Sequence, residues 1–274
     1  MTEWNAAEYA RLSALQAAMA EEVLSLLRER LRGDERILDV GCGNGKVTRE
    51  IAALVPRGRV VGVDASAKMI EFAKAGKSPA SSGAGAVNAT ALPANLSFTV
   101  VDARRLTFRQ EFDLVVSFNA LHWVAEAEQP LALRGISSAL EAGGVAQLRL
   151  VSRGARKSLE DVIEETAHSA RWERYFVGLR DPYLHMTPDA YAGLAEQYGL
   201  HVDHVDTNDH AWDFGSASAF AAFASVTFVE WLQHIPEGDH SEFIADALTR
   251  YKPVAGDDHT FRYYQMDITA RRPQ

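Results

Sequence analysis

The chain has 274 residues, 47% of them hydrophobic and 24% charged, with 28 basic against 37 acidic side chains and a net charge of −9. This composition can bury a core and excludes global disorder, and so acidic a surface argues against a phosphate backbone as the main partner, so no nucleic acid is expected. A lone cysteine, Cys42, excludes an intramolecular disulfide framework and a Cys-rich zinc site. The N-terminal residues lack a basic region followed by an apolar run. The most apolar stretch, 219–229, falls short of the roughly 20 residues that span a bilayer. A cytoplasmic protein without a membrane span is expected.

Residues 8–31 read as a helix, because Leu12, Leu15, Met19, Val23, Leu26, Leu27 and Leu31 recur at three- and four-residue steps and Gly33 follows as a stop. Residues 36–40 form a short buried strand that runs into Gly41-Cys-Gly-Asn-Gly45. A helix with Val47, Ile51, Leu54 and Val55 follows, closed by Pro56. Residues 59–64 are a second strand, and Ser66 caps a helix through Met69, Ile70 and Phe72. Strands alternating with helices over short connections indicate a parallel sheet.

Residues 76–95 are rich in Gly, Ala, Ser and Pro and read as a flexible surface insertion. The alternation resumes with strands at 96–101 and 112–118, a helix over 130–140 ending at Gly143-Gly144, and a fifth strand at 145–151. From Arg153 the rhythm breaks. Residues 159–175 read as one helix. Thr187 caps another, with Pro188 at its first position and Gly199 past its end. A strand at 201–206, an apolar helix over 216–233, a helix within 236–251 and a strand at 261–270 complete the chain. The expectation is one α/β domain over 1–274. Its core comprises 33–151, 187–213 and 257–271, and helical additions from 1–32, 153–186 and 214–256 converge as a lid.

Between the first strand and its helix, three glycines stand at alternate positions, Gly41, Gly43 and Gly45. Glycines there allow a tight turn and let a ligand approach the backbone and the helix N-terminus. A dinucleotide fingerprint requires G-x-G-x-x-G, and its last position here is Lys46, which argues against a nicotinamide cofactor. Asp39, two residues before the loop, adds a carboxylate suited to an ammonium group. The histidines His185, His201, His204, His210, His234 and His240 show no metal-ligand spacing, and no metal site is expected.

The run Ile-Leu-Asp-Val-Gly-Cys-Gly-Asn-Gly, ending at Gly45, resembles the first motif of the class I S-adenosylmethionine (SAM) methyltransferases. Asp64 at the end of the second strand, Asp102 after the third and Phe118-Asn-Ala-Leu-His-Trp123 after the fourth match that family in order. The resemblance implies a Rossmann-like fold with a seven-stranded, mostly parallel sheet and helical lid insertions. It implies SAM as cofactor, bound by Asp39, Gly41, Cys42, Gly43, Gly45, Asp64, Ala65, Met69, Asp102, Ala103 and Asn119. Asp64 would hold both ribose hydroxyls, as a carboxylate can accept two hydrogen bonds from a diol. Asp102 and the Ala103 amide would recognise the adenine.

Two narrower groups are similar. Glu8-Tyr-Ala-Arg-Leu-Ser-Ala-Leu-Gln16, Leu121-His-Trp123 and Asp181-Pro-Tyr183 resemble juvenile hormone acid methyltransferases. Trp4-Asn5, Tyr9 and Trp231-Leu-Gln233 resemble trans-aconitate methyltransferases. Both groups methylate carboxylates of small acids. The resemblance implies methyl transfer (EC 2.1.1) to the carboxylate oxygen of a small, partly apolar organic acid, with Gln16 and Trp123 at the acceptor carboxylate. Such an acceptor is ionised at neutral pH and needs no base. The helix bearing Phe220, Phe223, Val226, Phe228, Val229 and Trp231 would supply a dry wall. The alternatives are a carbon, nitrogen or hydroxyl acceptor with His122 as base, or a SAM-binding protein without turnover.

Overall fold

The computed structural model describes residues 6–76, 92–179, 182–184 and 186–274, with side chains from Leu15 onward except Gln16 and Ala17. Its frame is a seven-stranded sheet of order β3-β2-β1-β4-β5-β7-β6. The strands are β1 (Arg36–Val40), β2 (Arg59–Asp64), β3 (Leu96–Val100), β4 (Phe112–Phe118), β5 (Leu140–Ser152), β6 (His201–Asp213) and β7 (Thr260–Arg271). β1 to β5 pair in parallel, and β7 runs antiparallel to both β5 and β6. The apolar runs of the central strands suit burial on both faces. The order reverses between β1 and β4, and a ligand crevice opens outside the C-terminal ends of strands at such a switch point.

Alternate residues of each strand feed opposite faces. Leu38, Val61 and Val115 share one core with α4 (Gln129–Ala139) and α6 (Pro188–Gln197). Ile37, Val60, Leu114 and Val116 share another with α2 (Lys46–Leu54), α3 (Ala67–Ala75) and the C-terminal half of α1 (Ala6–Arg28). A third core joins Leu15 of α1 to α5 (Leu159–Ala167), α7 (Ala217–Thr227), α8 (Val229–Leu232) and α9 (His240–Ala255), and it rests on Phe261 and Tyr263 of β7. α1 therefore bridges the sheet and the added helices. Buried Arg149 of β5 pins it there, donating to Asp267 of β7 at 2.7 Å and to Glu22 of α1 at 2.9 Å. Among the described residues no helix is long and apolar enough to cross a membrane.

The structure departs from the sequence expectations where tertiary contacts decide. The helix expected over 159–175 stops at Ala167, and a separate 3-10 turn covers Glu173–Tyr175. The Thr166 and Ser169 hydroxyls bond back to the Val162 and Thr166 carbonyls there, which favours termination. The helix expected over 216–233 breaks at Phe228, whose ring is fully buried between Trp123 and Trp231. The first helix ends at Arg28 rather than 31, and the helix within 236–251 becomes α9, reaching Ala255. β5 starts at Leu140, and β6 runs on to Asp213. Its mostly exposed, polar residues hide a register that β7 imposes along its length. The expected insertion 76–95 is narrower. Gly76 caps α3, and Asn95 Nδ2 bonds the Ala52 and Val55 carbonyls at 2.9 and 3.0 Å, which ties Asn95 to the end of α2; residues 77–91 lie outside the described residues.

Candidate active site

The loop from β1 to α2 leans on β2, because the Gly41 and Cys42 amides both donate to the Val63 carbonyl, at 2.8 and 2.9 Å. Gly41, Gly43 and Gly45 all have positive φ. A Cβ on Gly41 would stand 2.1 Å from Cβ of Ala120, so the loops after β1 and β4 touch at the switch point. A Cβ on Gly43 would meet nothing within 4 Å, leaving its backbone open to a ligand. Asp64 faces the same space. Its Oδ2 accepts from the Gly43 amide at 2.9 Å and its Oδ1 from the Ser66 amide at 2.8 Å. Two backbone donors thus aim the carboxylate, and each oxygen keeps a lone pair for a diol. Ala65 and Met69, 37% exposed, lie beside it on the rim. These features fit the cofactor that the resemblance implies.

Asp39 is buried, and Thr48 Oγ1 of α2 donates to it at 2.7 Å. Burial pushes its pKa up to about 6 against the pull of Thr48, with Asp64 adding repulsion. A buried carboxyl in that state gains from an ammonium partner. Cys42 is half-buried, and burial, aided by Asp39 and Asp64, pushes its thiol up, away from nucleophilic use. Asp102 accepts from the Arg104 amide at 2.9 Å and from the Arg104 guanidinium, which also reaches Glu128 and holds the Asp102 carboxyl below its usual range. Ala103 opens the short turn beyond it.

On the other side of the crevice, Asn119 takes a left-handed φ of 55° at the end of β4, which asparagine tolerates better than most residues. Its Oδ1 accepts from Gln265 Nε2 at 3.0 Å, and its Nδ2 lies 3.7 Å from Met19 Sδ, so α1, β4 and β7 meet there. His122 is buried. Its Nδ1 accepts from the Val151 amide at 3.2 Å, which leaves the neutral ring's proton on Nε2. Burial pushes its pKa down to about 3. Buried Gln129 props the turn that carries it, donating to the Leu121 and Val124 carbonyls at 2.7 Å and accepting from the Tyr191 hydroxyl.

Trp123 is half-buried. Its ring stands edge-on to Tyr183 at 5.2 Å and lies 5.4 Å from His122 and 6.4 Å from Phe228. Gln16 falls within α1, but its side chain lies outside the described residues, as do those of Trp4, Asn5, Tyr9, Asp181 and His185. The expected dry wall is corrected. Phe220, Phe228 and Trp231 are core, Trp231 Nε1 donates to Glu164, and Val226 and Val229 are 48% and 52% exposed. Of the wall residues, Phe228 reaches Trp123. Thr48, Arg104, Gln129 and Gln265 escaped the sequence reading. Only Arg104, two residues after Asp102, left a local signal.

Residues 37–144 match the family model of a methyltransferase domain. The chain is 32% identical over 205 residues to trans-aconitate 2-methyltransferase of Streptomyces avermitilis, covering 74% of this chain and 71% of that one. It is 30% identical over 200 residues to the protein of the same name from Deinococcus radiodurans, covering 72% and 69%. In structure it is similar to the YcgJ protein of Bacillus subtilis, with a TM-score of 0.62 and 16% identity over 93% of this chain and 99% of that one. Strand order, glycine loop and strand-end carboxylates define a class I methyltransferase, and the chain belongs to that family. It is a SAM-dependent enzyme of a kind similar to the trans-aconitate 2-methyltransferases.

Proposed function

We propose that the chain methylates the carboxylate oxygen of a small, partly apolar organic acid. The observation that carries this reading is the state of His122. A carbon, nitrogen or hydroxyl acceptor usually needs a base with a pKa near the working pH. His122 is buried, its Nδ1 is occupied by the Val151 amide, and its pKa is pushed down to about 3. A carboxylate acceptor has no need of that base. The relatives named for trans-aconitate, itself a carboxylic acid, support the same class of acceptor.

When bound, SAM supplies a methyl group on a positively charged sulfur. The glycine loop and Asp64 would hold its ribose side, Asp39 would balance its ammonium group, and Asp102 with the Ala103 amide would read the adenine. Asn119, which meets Gln265 and Met19, would lie between cofactor and acceptor. Trp123 and Gln16 act as neutral donors that orient the acceptor carboxylate without masking its charge as an arginine would. Segments 1–32, 153–186 and 214–256 act as the lid that excludes water. Alignment of the reacting atoms is worth up to roughly 7–11 kcal/mol. The test is a screen of small carboxylic acids with methyl-labelled SAM, read as labelled methyl ester and S-adenosylhomocysteine. Ester formation is expected. Turnover confined to carbon, nitrogen or neutral hydroxyl acceptors, abolished in His122→Asn, would overturn the reading.

A further inference from the structure

Asp102 opens a short turn beyond β3, and Arg104 folds back from that turn onto its carboxylate. The turn is seated from behind, because buried Leu106 packs so closely on Gly135 of α4 that a Cβ there would stand 2.9 Å from its own. From the front, three donors of Arg104 fall on the two carboxylate oxygens. The amide donates to Oδ1 at 2.9 Å, Nε is shared between Oδ1 at 2.9 Å and Oδ2 at 3.0 Å, and Nη2 completes the fork on Oδ2. The far end of the guanidinium is fixed as well, since Nη1 donates at 2.6 Å to Glu128, the residue before α4. The Asp102, Arg104 and Glu128 side chains are 22%, 39% and 42% exposed, and ion pairs so exposed add little to the stability of a fold. A two-point fork supplies geometry instead, because it fixes the plane of the carboxylate it grips. An ionised carboxylate offers about four acceptor positions. Arg104 takes three of them and leaves one.

We propose that Arg104 is a positioning residue for the cofactor's base: braced by Glu128, it holds the Asp102 carboxylate so that the one remaining acceptor position receives the amino group of the adenine. This rests on the assignment of Asp102 to the adenine above. Without the fork, the Asp102 side chain keeps a single backbone donor, the Arg104 amide, and is free to turn about its terminal bond. The ligand must then order it on binding, and that ordering lowers affinity. The guanidinium also holds the Asp102 carboxyl below its usual range, so the group facing the base stays a pure acceptor at neutral pH. The expected consequence is specific. Arg104 matters to a ligand that carries the amino group and is indifferent to one that lacks it.

The test uses the full chain and two ligands, S-adenosylhomocysteine and its analogue with purine in place of adenine, which differs by the missing 6-amino group. Neither carries the sulfonium charge, so removing a cation from the protein does not act on them through net charge. Calorimetry reads both affinities. Asp102→Ala should weaken S-adenosylhomocysteine about tenfold or more and the analogue by less than about twofold. Arg104→Ala should weaken S-adenosylhomocysteine about 3- to 10-fold and spare the analogue, and on the Asp102→Ala background it should change neither ligand further. Arg104→Lys, which keeps the charge and loses the fork, should behave like Arg104→Ala. Four results would each overturn the proposal: an Arg104→Ala variant that binds S-adenosylhomocysteine as well as wild type or more tightly, one that weakens both ligands alike, a further loss on the Asp102→Ala background, or an Arg104→Lys variant equal to wild type. If Asp102→Ala behaves as expected and one of these appears, this inference alone fails. If Asp102→Ala leaves both affinities unchanged or weakens both ligands alike, the adenine assignment fails and takes this inference with it.

Discussion

Substituting His122 by asparagine should make the protein relatively more tolerant of acid. The imidazole is buried, with a pKa pushed down to about 3 from an ordinary value of 6.5. Below pH 6.5 the unfolded chain takes up a proton that the folded ring refuses. The stability held by the neutral ring is therefore lost as pH falls, at 1.36 kcal/mol per unit. Between pH 6.5 and 5 that amounts to about 2 kcal/mol. Asparagine removes the ionisation and can still present an oxygen to the Val151 amide. Its loss of ring contacts with Trp123 and Tyr183 lowers stability by about 1–3 kcal/mol, but equally at both pH values. Asp39 and Glu160 act in the opposite sense, since their pKa values are raised to about 6 and about 7. Their contributions are present at low pH and lost as pH rises through those values, so the wild-type profile alone does not isolate His122. The difference between variant and wild type does, because shared groups cancel. Urea denaturation of both proteins at pH 7.5 and pH 5 should show the gap moving by about 2 kcal/mol in favour of the variant. An unchanged gap would mean that the ring titrates normally and is open to solvent. His122 would then be available as a base.

Asp64→Ala should weaken SAM binding about 10- to 150-fold, the range for hydrogen bonds to a charged group, while NAD fails to bind wild type; calorimetry reads both. SAM affinity should fall about tenfold per unit below pH 6, because Asp39 must release its proton to face an ammonium group, and Asp39→Asn should flatten that dependence while binding weakly throughout. Replacing residues 77–91 by a short Gly-Ser linker should leave the melting temperature nearly unchanged, whereas Asn95→Ala should cost about 1–3 kcal/mol by stranding the Ala52 and Val55 carbonyls; equal melting curves for Asn95→Ala and wild type would refute its anchoring role. Gln16→Ala and Trp123→Phe should each lower kcat/KM about 10- to 150-fold with SAM affinity little changed, and a proportional loss of SAM binding would move either residue to the cofactor side.

The proposed cofactor half of the site is legible in the sequence because its causes are local. β1 and β2 are short apolar runs, Ser66 caps α3 through the Met69 amide, and Gly41 to Gly45 follow β1 directly. Once strands and helices alternate over short connections, the ends of β1, β2 and β3 lie side by side. Asp39, Asp64 and Asp102 are then neighbours by arithmetic. Their partners are less visible. Thr48 lies one turn into α2, and nothing in its spacing shows that it bonds Asp39.

The proposed acceptor half follows a different rule. Trp123 is positioned by Tyr183 from the segment before α6, by Phe228 at the break between α7 and α8, and by a turn that Gln129 braces from α4. Asn119 depends on Gln265, 146 positions away. None of these pairings leaves a period, a cap or a turn residue in the sequence, since each is chosen by what meets it in space. The helix break at Phe228 has the same origin, because burying that ring between two tryptophans outweighs one more turn of helix. Local rules account for the proposed donor side. On the proposed reading, contacts among segments far apart in the chain set the acceptor. The residues that most need testing for substrate identity are therefore Trp123 and Tyr183, which pack within the third core.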